Sequence, residues 1–232
     1  MEKQKYTAIV LAAGSGKRMN SKVHKQYLII QDRPVLNYSL KAFEDSAVDE
    51  IVLVVGKGEE KFCRKEIVDK YGISKVKAIV EGGKERYHSV FEGLKQTSDA
   101  DYVLIHDGAR PFVNQDIIRR CMQEVQKYQA CVVGMPVKDT IKIADEEGYA
   151  KQTPDRKNVW MIQTPQTFSY ALIYEAYEEM LKTEDTAITD DAMVLERIKG
   201  KKSKLIEGSY RNIKITTPED LLIANVYLQH PE

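Results

Sequence analysis

The sequence predicts an α/β fold built on a doubly wound, mostly parallel sheet, and three observations predict it. Apolar, β-branched runs recur at Ala8–Leu11, Ile51–Val55, Val76–Val80, Tyr102–Ile105 and Cys131–Met135. Such continuous runs suit strands buried on both faces. Segments with helical spacing of apolar residues separate them, and this alternation arises when crossover helices return the chain to start parallel strands. Finally, the 232 residues contain no Ser/Pro/Gly-rich linker or composition break, so one domain spanning 1–232 is expected.

The first strand stops at Ala12-Ala13-Gly14-Ser15-Gly16, followed by Lys17 and Arg18. Small side chains let backbone N–H groups approach a ligand, and a strand feeding a Gly-rich turn forms a nest of donors suited to phosphate. Cations next to the nest add Coulombic attraction for a multiply charged anion. Two commoner phosphate loops are excluded. A P-loop would need Gly where Leu11 stands and Ser or Thr where Arg18 stands, and a dinucleotide fingerprint would need a small residue at Met19.

Lys25-Gln26-Tyr27 then leads through Leu28-Ile29-Ile30 and a turn at Asp32-Arg33-Pro34 into a helix with Leu36, Leu40 and Phe43 on one face. After the second strand comes a helix bearing Phe62, Ile67 and Val68. The third strand ends in Gly82-Gly83, before a helix with Val90, Phe91 and Leu94. Ligands of open α/β sheets sit outside the carboxyl ends of strands, so this second glycine turn either lines the same pocket or is simply a tight turn. The fourth strand runs into His106-Asp107-Gly108-Ala109-Arg110-Pro111. Asp107 suits a ribose hydroxyl or a metal-bound water and Arg110 an anion, unless the two close the turn as an ion pair. His106 is expected to be a hydrogen-bonded framework residue. Ile117, Ile118, Cys121 and Val125 mark the next helix.

From Pro136 the pattern changes. Thr140–Ala144 alternates, Asp145–Gly148 is a turn, and Tyr149–Thr153 returns, giving a β-hairpin arm over about residues 137–156. A lone hairpin is marginal in water and needs something to pack on, in its own domain or a second subunit. Val159–Gln163 resumes the sheet and ends at Thr164-Pro165-Gln166; 170–182 and 190–199 are expected to be helical. Asn212–Thr216 is expected to be a strand, with Thr217 capping the final helix ahead of Pro218, Glu219 and Asp220. Lys214 in that strand is costly unless it meets an anion or reaches water.

Composition narrows the function. With 35 basic and 35 acidic residues and no basic face, duplex nucleic acid is not the expected partner. Three cysteines, Cys63, Cys121 and Cys131, lie in apolar patterns without C-x-x-C pairing, which argues for buried thiols in a reducing compartment. The amino terminus lacks a hydrophobic signal region and no apolar run approaches membrane-spanning length, so a cytoplasmic protein with no membrane partner is expected.

The ordered set Leu11-Ala12-Ala13-Gly14-Ser15-Gly16-Lys17-Arg18-Met19, Lys25-Gln26-Tyr27, Gly82-Gly83, His106–Pro111, Pro136–Thr140, Gln163–Gln166, Thr189–Ala192 and Asn212–Thr216 resembles the 2-C-methyl-D-erythritol 4-phosphate cytidylyltransferases of the non-mevalonate isoprenoid pathway. The resemblance covers nearly the whole chain. It implies transfer of CMP from CTP to a sugar-alcohol phosphate with release of pyrophosphate, Mg²⁺ dependence with the ion held mainly through the CTP phosphates, a Rossmann-like fold, and a homodimer with interlocking hairpin arms. By position, Ala12, Ala13, Gly14 and Gly16 would cradle the triphosphate, and Arg18 and Lys25 would neutralise charge on the α-phosphate and pyrophosphate. Gly82, Ser89, Asp107 and Arg110 would border cytidine and ribose. Asp107, Thr140, Arg156, Thr164 and Lys214 would face the acceptor, and the catalytic set would be Arg18, Lys25, Arg156 and Lys214. No residue is assigned as a protein ligand of the metal. His24 stands where relatives usually have proline, and Gln31-Asp32 replaces a glycine-containing turn; both bear on the stiffness of the loop presenting Lys25.

This chemistry explains why no Ser-His-Asp or paired-carboxylate constellation stands out. A phosphate monoester has a second pKa of about 6 and attacks as a dianion without a general base. What remains is to align two anions and stabilise the added charge, which is work for Mg²⁺, Lys and Arg. A ribitol-phosphate cytidylyltransferase would share fold and chemistry. A non-catalytic nucleotide-binding relative is disfavoured by intact Arg18, Lys25, Arg156 and Lys214, and a dehydrogenase by Met19.

Overall fold

The computed structural model describes residues 3–14, 24–183 and 187–230. Gly16 and Arg18, together with Ser15, Lys17 and Met19, lie outside the described residues.

The first strand, β1 (Tyr6–Ala12), lies inside the sheet, and its side chains alternate between two apolar layers. Ala8 and Val10 join a cluster with Leu36, Leu40, Phe43, Ile117 and Cys121; Ile9 joins the opposite one with Val90, Leu94, Ile173 and Tyr177. The short β2 (Ile29–Ile30) and β3 (Arg33–Pro34) pair with each other and lead into α1 (Val35–Glu44). Next come β4 (Glu50–Val55), α2 (Glu60–Cys63) with a π-helical continuation Arg64–Asp69, β5 (Val76–Glu81), α3 (Arg86–Leu94) and β6 (Tyr102–Asp107). Then follow α4 (Gln115–Tyr128), β7 (Ala130–Pro136), β8 (Ile143–Ala144), β9 (Ala150–Gln152) and β10 (Trp160–Ser169). The chain closes with α5 (Tyr170–Met180), α6 (Asp191–Lys199), β11 (Lys204–Glu207) and α7 (Pro218–Gln229).

The seven-stranded sheet has the order β11-β7-β10-β6-β1-β4-β5. Every pairing is parallel except those of β10, which runs antiparallel between β6 and β7. The chain winds outward from β1 through β4 to β5, then returns to β6 on the other side of β1. That reversal opens a crevice at the carboxyl ends, where Ala12 and Asp107 end adjacent strands.

Four segments depart from the sequence reading. Asn212–Thr216 is irregular rather than a strand: its alternation sends Ile215 into a cluster with Ile30, Val35 and Ala224, while one backbone bond, Ile215 N–H to Ala109 O at 2.8 Å, ties it to the turn after β6. The additional sheet strand is instead β11, an edge strand whose exposed Lys204, Leu205 and Glu207 disguise it. The strand at Trp160 does not end at Pro165 but runs on to Ser169, with a register shift between Ile162 and Gln166. The hairpin is present as the antiparallel pair β8 and β9, though shorter than expected, and both strands are exposed. At the last helix the expected cap is observed: Asp220 accepts hydrogen bonds from Thr216 N (2.7 Å) and Thr217 N (2.8 Å), ahead of which Pro218 needs no donor.

Candidate active site

At the carboxyl end of the sheet lies a cavity of about 350 Å³, lined by Leu11 to Gly14, Lys25, Gln26, Gly83 to Arg86, Ser89, Asp107, Ala109 and Lys214. The two glycine turns meet there. A Cβ on Gly82 would lie 2.5 Å from Ala13 Cβ and 2.6 Å from Ser89 Oγ, so only glycine lets the second turn approach the first. Ser89 Oγ accepts from Gly83 N at 3.1 Å and holds that turn against α3. Gln26 donates to Ala12 O at 2.5 Å, pinning the 3₁₀ turn Lys25–Tyr27 to the end of β1 and bringing Lys25 to the cavity wall.

A second cavity of about 330 Å³ shares Arg86, Asp107 and Lys214 with the first and continues to Arg110, Ile162, Gln163, Thr164, Gln166, Thr189 and Asp190. Asp107 stands at the junction. Its carboxylate lies 2.8 Å from Lys214 Nζ, 3.5 Å from Arg86 Nε and 3.8 Å from Arg110 Nε. Burial alone would raise its pKa, but Arg86, Lys214 and Arg110 outweigh that and hold the carboxyl well below the usual carboxylate range. In the free chain Asp107 is an ion-paired carboxylate, and Lys214 lies closer to it than the Arg110 of its own turn. Lys214 meets this anion while its half-buried side chain keeps partial contact with solvent, so its charge is tolerated beside buried Ile215.

Arg110 is anchored rather than poised, donating through Nη1 to Asn212 O at 2.8 Å. Asn212 is fully buried and donates to Thr164 O at 2.9 Å. These bonds carry the 212–216 segment to the site without a strand ladder. Thr164 Oγ1 accepts from Asp107 N at 3.1 Å and donates to His106 Nδ1 at 3.0 Å, which leaves His106 Nε2–H to donate to Arg110 O at 3.2 Å. His106 is the expected framework residue.

Burial of that imidazole pushes its pKa down to about 4. Between about pH 6.5 and pH 4 the unfolded chain binds a proton at His106 that the folded chain refuses, so stability rises with pH across that window. From pH 7.5 to pH 5 this group should cost about 2 kcal/mol of unfolding free energy. Denaturant unfolding of wild type and His106→Gln at both pH values checks it. The variant, whose amide has an acceptor for Thr164 and a donor for Arg110 O, should lose about 2 kcal/mol less than wild type, and an equal loss would exclude His106 as the titrating group.

The residues implied by resemblance divide into two groups. Ala12, Ala13, Gly14, Lys25, Ser89, Asp107 and Lys214 line the first cavity, with Gly82 directly behind it, while Arg110 and Thr164 join Asp107 and Lys214 in the second. Thr140 and Arg156 are exposed on the hairpin side and line neither cavity; Arg156 Nη1 donates to Lys138 O at 2.9 Å.

Sequence reasoning assigned no role to Arg86 or Asp191. Arg86 forks onto Asp191 through two 2.8 Å bonds and lines both cavities. Asp191 is fully buried and also accepts from Tyr177 OH at 2.6 Å. Burial opposes the Arg86 charge, but Asp191 and Asp107 outweigh it and raise the pKa. Arg86 opening a helix just beyond Gly82-Gly83, and Asp191 inside the Thr189–Ala192 set, were the available signals; their pairing across 105 residues was not.

The family model described as 2-C-methyl-D-erythritol 4-phosphate cytidylyltransferase matches residues 6–230. The chain belongs to that family. Its relatives include the 2-C-methyl-D-erythritol 4-phosphate cytidylyltransferases of Lachnoclostridium phytofermentans, 50% identical over 97% of both chains, and of Lachnospira eligens, 53% identical over 96% of this chain and 99% of that one. Among solved structures, the 4-diphosphocytidyl-2C-methyl-D-erythritol synthase of Anaerococcus prevotii superposes with a TM-score of 0.87 at 38% identity, covering 98% of this chain and 97% of the other. The corresponding Thermus thermophilus enzyme gives 0.77 at 30% identity over 95% and 98%. Family membership makes the protein a cytidylyltransferase of isoprenoid-precursor biosynthesis with a Rossmann-like fold. No helix among the described residues is long and apolar enough to cross a membrane.

Proposed function

We propose that the enzyme transfers CMP from CTP to 2-C-methyl-D-erythritol 4-phosphate, with the nucleotide in the first cavity and the acceptor in the second. The observation that carries this reading is the Asp107–Lys214 pair at the junction of the two cavities, 2.8 Å apart. An acceptor phosphate brought there meets a lysine whose present counter-ion is a carboxylate it can exchange for the ligand. The backbone of Ala12 to Gly14 supplies donors for the triphosphate, and Lys25 meets it from the 3₁₀ turn. An oxygen of the acceptor phosphate attacks the α-phosphorus, the bond to the α–β bridging oxygen breaks, and pyrophosphate leaves with that electron pair. The attacking dianion needs no base, so Lys25 and Arg18 act by stabilising charge.

Among the described residues no group of three or more His, Cys, Asp or Glu side chains is placed to hold a metal, and the Asp107 carboxylate is already engaged by three cations. Mg²⁺ fits this lining as an ion carried on the phosphate oxygens of CTP, and no protein ligand is assigned to it. Pyrophosphate release from CTP tests the function, measured separately with methylerythritol phosphate and ribitol phosphate as acceptors. Turnover with the first and little with the second is expected; the reverse would make the acceptor ribitol phosphate.

Lys214→Ala should raise KM for the acceptor, or lower kcat/KM with it, while CTP affinity measured without acceptor stays close to wild type. An equal loss of CTP affinity would move Lys214 to the nucleotide.

The protein works as a homodimer of single-domain subunits in the cytoplasm, where its three buried thiols would stay reduced. The hairpin leaves Ile141, Ile143 and Tyr149 exposed, and Arg156 lines neither cavity of its own subunit. Both facts support an arm that crosses to a second copy and delivers Thr140 and Arg156 there. Mixing inactive Lys25→Ala and Arg156→Ala dimers under subunit exchange should then restore about a quarter of wild-type sites, because each hybrid has one intact site. No recovery, with exchange shown independently, would place Arg156 in its own subunit's site.

A further inference from the structure

The carboxylate of Glu59, outside both cavities in the loop after β4, gathers the two residues that flank the Lys25-Gln26 pair. Its Oε1 lies 2.8 Å from His24 Nδ1, and its Oε2 accepts from Tyr27 OH at 2.7 Å and from Gly56 N at 3.0 Å. The Glu59 side chain is only 20% exposed. A Cβ on Gly56 would lie 2.6 Å from Glu59 Oε2, so the loop has room for this carboxylate only because residue 56 is glycine. Tyr27 is fixed from its far side as well, its hydroxyl 3.0 Å from Cys63 Sγ and its ring edge-on to Phe62 at 5.1 Å. Burial keeps the Tyr27 phenol protonated and pushes the Cys63 thiol up to about 11, so Tyr27 donates to Glu59 while accepting from Cys63.

His24 has φ −61° and ψ 138°, and that φ is the one a proline ring would impose. In this chain a non-proline residue holds that conformation, with its side chain tied to Glu59.

We infer that Glu59 is a positioning residue: through His24 on one side and Tyr27 on the other it fixes the turn that presents Lys25 to the nucleotide cavity. The inference rests on the reading of Lys25 as a residue of the chemical step. Alignment within about 1 Å decides rates in reactions governed by positioned charge, so the tether acts on kcat more than on CTP affinity.

The test compares kcat and KM for CTP in Lys25→Ala, Glu59→Gln, Tyr27→Phe and the double variant Glu59→Gln with His24→Pro, with folding of each followed by thermal melting. Glu59→Gln should lower kcat about tenfold with a smaller change in KM, and Tyr27→Phe should lower it in the same sense while keeping the ring contact with Phe62. Adding His24→Pro to Glu59→Gln should recover most of the lost kcat, because the ring restores the observed φ without the tether. A purely structural Glu59 would show a lowered melting temperature with kcat of the folded fraction unchanged, and that result overturns the inference. So does a loss confined to KM, or a double variant no faster than Glu59→Gln alone. Should Glu59→Gln fail to fold, Tyr27→Phe decides, and wild-type kcat in that variant overturns the inference. If Lys25→Ala is slow while Glu59→Gln and Tyr27→Phe are not, the tether alone is refuted. If Lys25→Ala keeps wild-type kcat, the assignment of Lys25 itself falls, and this inference with it.

Discussion

Lys25→Ala lowers kcat by on the order of a hundredfold or more while CTP affinity falls much less. The expectation follows from where charge develops. On the proposed reading, the ground-state triphosphate would already be held by backbone donors at Ala12 to Gly14 and would carry its own metal ion, so one lysine would add modestly to binding. In the transition state charge moves onto the departing pyrophosphate, and a cation fixed beside it gains interaction energy that the ground state did not supply. Lys25 is fixed in that sense, because the adjacent Gln26 is bonded to the end of β1 and the turn is short. Steady-state kinetics with CTP varied at saturating acceptor, together with direct CTP binding, separates the alternatives. A raised KM at unchanged kcat would make Lys25 a ground-state binding residue.

Asp191→Ala should cost about 3 kcal/mol of unfolding free energy, the lower end of what is found when one partner of a buried ion pair is removed. Asp191 is fully buried and accepts three hydrogen bonds, two from Arg86 at 2.8 Å and one from Tyr177 OH at 2.6 Å. Truncation leaves the guanidinium and the phenol without their acceptor, and the desolvation already incurred is no longer offset. The estimate is kept low because the Arg86 side chain is 29% exposed at the cavity and still has Asp107 at 3.5 Å. Urea unfolding at pH 7.5 measures the change. Asp191→Asn should lie between the two, since an amide oxygen still accepts from Arg86 or Tyr177 but carries no charge. A cost below about 1 kcal/mol for Asp191→Ala would rank the pair with exposed salt bridges.

Lys25, Gly82, Ser89, Asp107 and Lys214 were legible as site candidates because small residues and charges at the carboxyl ends of buried strands have few packing uses, and because their order along the chain resembles one family. Arg86 and Asp191 were not, since each looks like an ordinary helix-terminal charge until the fold brings α3 and α6 together. The 212–216 segment was misread for a related reason. Ile213 and Ile215 alternate around a lysine as a strand would, but burial of Ile215 and the hydrogen bonds of Asn212 determine its path, and neither is visible locally. In β11 the error was the reverse: an edge strand needs only one buried face, so Ile206 alone carried the signal.

By itself, then, the sequence determined the parallel α/β core and the glycine turns. Side-chain periodicity and backbone freedom are local properties, written in neighbouring residues. Only the tertiary structure decided that Asp107 would be shared among Arg86, Arg110 and Lys214, that Arg86 would be held by Asp191, and that Glu59 would tie down the turn bearing Lys25. These are pairings between charges distant along the chain, and with 35 basic and 35 acidic residues available no local rule selects the partners. Burial selects them, because a charge withdrawn from water is tolerated only where packing delivers its counter-ion within a few ångströms.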